Sequence, residues 1–400
     1  MGGAQVGHQG AGRALKAVEE VDHLIDLRPK RCRRCGRRLA GDDAQPARHQ
    51  VTEIPPAHAE VTEYRRHTLC CQRCGVKTAA AWSAEVPEGR FGARLQAMVA
   101  YFTGRLGLSH RDCVEAISVL HGASLSLGSV SALQRQVSHA LAAPVETARE
   151  YVQQQGVNHV DETGWHEQGK LNWLWVNATA QVTAFRVAAK RDAVTAREVI
   201  GLTRAGIITT DRHLGYSWLA PARRQICWAH LKRDFQAIAE RSGESQAIGE
   251  ALLVQTEEVF RLWHQVREGT LSRRKFQRLI APVEHRVKEL LDVGSECAQG
   301  KTRRTCRQMR MVAAAWWTFV RVSGVEPTNN TAERALRRAV LWRRTSFGTQ
   351  SAAGSRFVER ILTVVTTLHQ QGRNVLEYLS AACSSGTHTN HSICLLPDTS

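Results

Sequence analysis

The chain has 400 residues, and 54 Lys+Arg against 37 Asp+Glu leave a formal charge of +17 at pH 7. That length allows two or three domains with a sizeable core, and a surplus of arginine spread along the chain favours a polyanionic partner, because guanidinium forks fit phosphate bidentately. No apolar run approaches the ~20 residues of a membrane span and the glycine-rich stretch 1–12 lacks a signal-peptide core, so the expectation is a cytoplasmic protein with no membrane partner, whose eleven cysteines are thiols or metal ligands rather than disulfides.

Residues 1–30 carry little pattern. Residues 31–85 hold two matched knuckles, Cys32-Arg33-Arg34-Cys35-Gly36 and Cys71-Gln72-Arg73-Cys74-Gly75. Each offers two thiolates, so Cys32, Cys35, Cys71 and Cys74 can close a tetrahedral site around one structural Zn2+, the pattern of a zinc ribbon. A redox pair is the alternative, and the glycine after both knuckles argues against it. Cys70 is a neighbour able to replace Cys71. A hairpin over 51–54 and 61–64 is expected to fill the span between the knuckles. Arg33 and Arg34 are candidate phosphate contacts.

Between 86 and 150 the apolar period turns helical. Ser109 and Ser126 read as caps of two helices separated by His121-Gly122-Ala123, a pattern that fits a helix-turn-helix and equally an ordinary helical hairpin. From 151 to 241, short β-branched and aromatic runs at 157–161, 171–176, 182–187, 206–211 and 226–228 read as strands, and 192–202 and 231–239 as helices. Three meandering strands followed by alternating helices and strands make a mixed α/β sheet. Asp161 and Asp211 end their strands, at the edge of an open sheet where ligands gather. Residues 242–322 are helical throughout and read as an all-α insertion. Its basic tract around Lys301, Arg303 and Arg304 fits either a DNA groove or a solvated face. The segment 323–380 brings Asn330, Glu333, Arg334 and Arg337 to the start of one helix and adds another that packs back on the sheet. Residues 381–400 form a polar tail.

Glu333 has two readings. Asn330 and Glu333 have the spacing of a helix-capping pair. A carboxylate on a rigid helix beside dense arginine also suits a centre that holds a metal ion and a phosphodiester together. Asp161 and Asp211, each of which alone fits a turn cap, would join it in an oxygen cage for hard divalent cations.

The segments His159-Val160-Asp161-Glu162-Thr163, Thr210-Asp211-Arg212, Cys227-Trp228-Ala229-His230-Leu231-Lys232-Arg233-Asp234-Phe235, Asn329-Asn330-Thr331-Ala332-Glu333-Arg334-Ala335-Leu336-Arg337 and Arg343-Arg344-Thr345-Ser346-Phe347-Gly348-Thr349 follow the double knuckle in that order. As an ordered set over about 32–378 they resemble the IS66 family of bacterial insertion-sequence transposases. The resemblance implies an RNase H-like core with an Asp-Asp-Glu triad at Asp161, Asp211 and Glu333, binding two Mg2+ or Mn2+ ions. It implies strand cleavage at the element's ends, then attack of the freed 3′-hydroxyl on target DNA, with Arg334 and Arg337 holding the DNA strand. It also implies several copies assembled on DNA, small accessory proteins of the same element, and a bacterial, nucleoid-associated location. Cys227 and His230 match a Cys-x-x-His element near the second acid of related transposases, read either as metal ligands or as local packing. Two rivals stand beside this reading. A non-catalytic zinc-ribbon DNA-binding protein needs no triad, and an RNase H-like nuclease cuts without joining.

Overall fold

The computed structural model describes residues 14–83, 86–87, 89–201, 206–388 and 393–397. Residues 1–13 of the weakly patterned N-terminus, Leu202 at the end of an expected helix, and part of the tail lie outside them. The chain divides into two compact units, Met1–Ala57 and His58–Ser400.

Each unit carries one knuckle, and the two knuckles have the same turn. In the first, Gly36 N donates to Cys32 O (3.0 Å) and Cys32 N to Arg37 O (2.8 Å). In the second, Gly75 N donates to Cys71 O (2.8 Å) and Cys71 N to Val76 O (2.9 Å). Both turns end in left-handed backbone, with φ of +74° at Gly36 and +72° at Gly75, which explains a glycine after each second cysteine. A short hairpin, β1 (Thr68–Cys70) with β2 (Lys77–Ala79), flanks the second knuckle. Cys70 lies in β1 opposite Lys77, so Cys71 is the counterpart of Cys32. The hairpin expected over 51–54 and 61–64 does not form. Neither segment is a strand and every residue from 51 to 64 is exposed. With no apolar face to bury and with Pro55-Pro56 lacking two N–H donors, nothing drives strand formation there.

The second unit continues with helices α1 (Ala93–Ala100), α2 (His110–His121), α3 (Leu127–Ala140) and α4 (Ala142–Gln153). Ser109 caps α2, accepting from Asp112 N at 3.1 Å while Asp112 returns the bond to Ser109 N. Ser126 caps α3 in the same way, through Ser129 N. Val99, Cys113, Ile117, Val130 and Leu133 form the small core between these helices.

Five strands then build one mixed sheet: β3 (Val157–Glu167), β4 (Lys170–Ala178), β5 (Thr183–Ala188), β6 (Ile207–Thr210) and β7 (Arg224–Ile226), in the order β5-β4-β3-β6-β7. The first three are antiparallel neighbours, and β6 and β7 join β3 in parallel. Helix α5 (Ala193–Ile200), capped by Asp192 through Thr195 N, makes the crossover to β6. Side chains alternate across the sheet. Along β3, Val160 and Glu162 face α5 and Tyr216, while His159, Asp161, Thr163 and Trp165 face the opposite layer.

After β7 come α6 (Trp228–Ala239) and three longer helices, α7 (Glu244–Arg267), α8 (Arg273–Glu296) and α9 (Gly300–Val312), with a common core that includes Trp263, Phe276 and Phe319. The chain returns through a 3-10 turn (Ala313–Trp316) and α10 (Thr318–Arg321), where it is stitched to β7. Thr318 Oγ1 donates to Arg224 O (2.7 Å), Phe319 N to Gln225 Oε1 (2.8 Å) and Gln225 Nε2 to Trp316 O (2.9 Å). Trp228, fully buried, donates its indole N–H to Trp316 O (2.8 Å) and its backbone N–H to Pro327 O (2.9 Å).

Helices α11 (Asn330–Ser346) and α12 (Ala352–Gln370) cover the second face of the sheet, and α13 (Val375–His388) follows. One continuous helix is expected from 354 to 378; the structure has a break at Gly372 instead, where φ is +66°. The end of α11 is docked on β3. Phe347 and Gly348 turn left-handed, at φ +57° and +105°, and Thr349 then pairs with the strand end through Thr349 N to His166 O (2.9 Å) and Gln168 N to Thr349 O (2.8 Å). Among the described residues no helix is long and apolar enough to cross a membrane.

Candidate active site

Helix α11 carries Glu333 on its first turn, and its start is held by a buried asparagine. Asn329 stands at the N-cap position but makes no side-chain cap bond. Its amide donates to Val160 O (2.8 Å), its carbonyl oxygen lies 3.3 Å from His159 Nδ1, and its backbone N–H meets Cys227 Sγ at 3.2 Å. Asn329 therefore ties α11 to β3 and to the head of α6. The capping pair of Asn330 with Glu333 does not form, because the helix begins one residue earlier than expected and its cap residue is committed elsewhere. Glu333 is left free of the structural duty that competed with a chemical one.

Asp161 lies within β3, not at its end. Its position is nonetheless a boundary, since the parallel pairing with β6 stops at His159 while the antiparallel pairing with β4 runs on to Glu167. Asp211 follows β6 directly. Burial, reinforced by Glu162, Asp211 and Glu333, pushes the Asp161 carboxyl up to about 7. Coulomb repulsion of that kind requires the acids to lie within reach of one another. Asp211 Oδ1 accepts from His213 N (2.9 Å) and its Oδ2 from Arg191 (3.2 Å). Arg191 also donates to Glu162 (2.5 Å), whose second oxygen accepts the hydroxyl of Tyr216. Glu162 has no exposed side-chain surface. Its carboxyl is raised chiefly by burial, so its two partners are what make the site tolerable.

Asp161, His230 and Glu333 open on a groove of about 630 Å³ that Arg233, Arg334, Arg337 and Arg344 also line. Asp211 is not among the residues that line the groove; Arg191 joins it to Glu162, the neighbour of Asp161 in the chain. Arg334 and Arg337, the sequence candidates for holding a strand, are thus on the groove. Arg233 and Arg344 join them from α6 and from the last turn of α11, and the sequence did not single them out.

Neither did it single out Glu162, Arg191 or Tyr216. For Glu162 a signal exists: an acid next to Asp161 on a strand of period two must enter the other layer, where a buried carboxylate needs a cation. Arg191 sits in a loop before the cap of α5 and leaves no periodic trace.

Cys227 is buried at the head of α6 and His230 one turn on, its pKa lowered first by burial and then by Arg233. Their donor atoms and one from Glu333 lie within 4.8 Å of one another. Of the remaining candidates, Cys32, Cys35, Arg33 and Arg34 belong to the first unit, Cys71 and Cys74 to the second. The Cys32 thiol is held below its ordinary pKa by the amides of Cys35 and Arg34, and that of Cys71 by those of Cys74 and Arg73.

The chain is 26% identical over 398 residues to an uncharacterized protein, y4qI, of Sinorhizobium fredii (strain NBRC 101917 / NGR234), covering 91% of this chain and 72% of that one. Residues 88–356 match the model of the transposase IS66 family, a stretch that takes in the sheet, the helical insertion and all three acids. The chain belongs to the IS66 family of transposases.

Proposed function

We propose that this transposase cleaves DNA at the ends of a mobile element and joins the freed 3′-hydroxyl to target DNA at Asp161, Asp211 and Glu333. The observation that carries the reading is the groove itself. Asp161 from β3 and Glu333 from α11 line it together with Arg233, Arg334, Arg337 and Arg344, so a phosphodiester there would meet both a cation held by the acids and guanidinium groups. The strand order, with three antiparallel strands extended in parallel by two more, supports an RNase H-like core. In the same proposal, zinc is bound by the thiolates of Cys32 and Cys35 and of Cys71 and Cys74, whose turns are alike, in a ribbon that contacts DNA.

The residues present fit a divalent cation. A carboxyl pushed up to about 7 among three other acids is a site short of positive charge, and Glu333 Oε1 is buried without a hydrogen-bond partner. Asp161, Asp211 and Glu333 would hold Mg2+ or Mn2+, which supplies Lewis-acid polarisation of the phosphodiester and a more acidic nucleophile. Arg191 neutralises Glu162 and restrains Asp211, so that Asp211 keeps its direction while the charge of the centre changes. Arg334, Arg337, Arg233 and Arg344 bind the strand's phosphates and set its position. Joining two element ends calls for more than one copy of the chain on DNA.

A strand-transfer assay with element-end DNA and Mg2+ tests this. Asp161→Ala, Asp211→Ala and Glu333→Ala should each cut joined product by more than ~100-fold, beyond the loss typical of outer-shell partners, with DNA binding retained. Joined product at wild-type level from any of them removes that residue from the centre. Nicked but never joined DNA from the wild type would favour the nuclease.

A further inference from the structure

Cys227 and His230 have no task in that reaction, yet their surroundings are those of a ligand set. His230 Nδ1 and Glu333 Oε1 are both buried, face each other at 3.7 Å, and lack any hydrogen-bond partner. The other cation near that oxygen, Arg233, is 3.9 Å away, also too far for a hydrogen bond. Buried polar atoms are nearly always paired, so two orphans facing each other at this distance call for a third body. Cys227 Sγ completes the set, all three donors lying within 4.8 Å of one another. A tetrahedral ion with Zn–S near ~2.3 Å and Zn–N or Zn–O near ~2.0 Å spaces its ligand atoms about 3.3–3.6 Å apart. Small side-chain adjustments close the difference.

Burial raises the Cys227 thiol above its ordinary pKa, and three amides act against that. Asn329 N–H meets it at 3.2 Å, and the amides of Ala229 and His230 also approach it. The amides two and three residues on approach Cys32 and Cys71 in the same manner. The Cys-x-x-His turn thus repeats the local form of the two Cys-x-x-Cys knuckles.

We propose that Cys227 Sγ, His230 Nδ1 and one carboxylate oxygen of Glu333 hold a divalent ion of the zinc class, separate from the hard cations of the acidic centre. Thiolate and imidazole select zinc over magnesium. Cys227 releases its proton to solvent on binding. His230 and Glu333 border the groove, so water takes the fourth position. The ion ties the head of α6 to the first turn of α11 and fixes the rotamer of Glu333, acting as a positioning centre. That Glu333 is shared with a second cation rests on the transposase reading; the ligand set does not.

The test is the zinc content of the purified full chain, measured by elemental mass spectrometry, with Co2+ absorption as a second readout. Cys227→Ser and His230→Gln should each lose about one equivalent per chain. On the Cys32→Ser background, a sulfur-to-cobalt band should persist that Cys227→Ser then abolishes. His230→Gln, at a side chain one quarter exposed, covers the case in which Cys227→Ser fails to fold. Unchanged zinc in His230→Gln, or loss of the whole thiolate band with Cys32→Ser alone, overturns the proposal. Absence of joined product from a wild-type chain that holds its zinc, or wild-type joining by Asp161→Ala, would instead count against the acidic triad, so the two readings fail separately.

Discussion

Asp161 gives the centre a proton-linked property that stability measurements can read. A carboxyl whose folded pKa is about 7, against ~3.9 unfolded, binds its proton more tightly in the native state. The stability this contributes is complete below about pH 4 and is lost as pH rises through about 7. The cation-free chain should therefore lose more stability between pH 5 and pH 8 than Asp161→Asn does, by a few kcal/mol. Added Mg2+ should raise the Tm of the wild type more at pH 8 than at pH 5, because the ionised carboxyl is the form that binds. Equal pH slopes for the two proteins would show that Asp161 is not the titrating group. At this scale the sequence singled out the three acids and was silent on what surrounds them. Asp161, Asp211 and Glu333 each stand in a short motif. Arg191, which binds Asp211 and Glu162, and Tyr216, which binds Glu162, are ordinary loop and turn residues whose importance comes from tertiary approach alone.

The elements show which local rules prevailed. Strands were legible at their centres, because β-branched and aromatic runs at 171–176 and 182–187 fall inside β4 or overlap β5. Ends were not: β3 runs six residues past Asp161, to Glu167, because pairing with β4 continues after pairing with β6 stops. The expected hairpin before the second knuckle failed where Pro55-Pro56 and full exposure outweighed the β-branched residues Val51, Thr52, Val61 and Thr62. The tract from Arg343 to Thr349 reads from sequence only as a motif; in the fold it is a docking device. Gly348 has φ +105°, and a Cβ there would press on the carbonyl oxygen of His166. Gly348→Ala should cost about 2 kcal/mol or more in urea unfolding, combining backbone strain with a displaced neighbour. Gly372→Ala is the control. Its φ is +66° but the space around it is open, so it should cost only about 1 kcal/mol. Equal losses would mean that the approach to His166 contributes nothing.

For the whole molecule, the +17 charge is organised rather than diffuse where the groove is concerned. Arginines of α6 and α11, far apart in sequence, line one groove. If those side chains neutralise phosphates, counterion release makes binding steeply salt-dependent. Replacing Arg334 and Arg337 together by Ala should reduce the slope of log K against log salt by about 2, roughly one for each phosphate no longer neutralised, with little change in Tm. An unchanged slope would move the DNA path elsewhere on the surface. This grouping was not legible along the chain, since only the fold brings Arg233 of α6 and Arg344 of α11 to one groove.

The attachment of residues 316–327 to β7 and to the head of α6 has a consequence for how such a chain can change. Because Trp316, Thr318, Phe319 and Pro327 are anchored there, and the start of α8 holds the same stretch through Arg273 and Gln277, Glu333 takes its bearings from this anchorage and not from the remote ends of α7, α8 and α9. Whole turns could be added to or deleted from the α6–α7 and α8–α9 ends, which meet where Ala298 N donates to Glu244, and the last acid would still arrive at the same address.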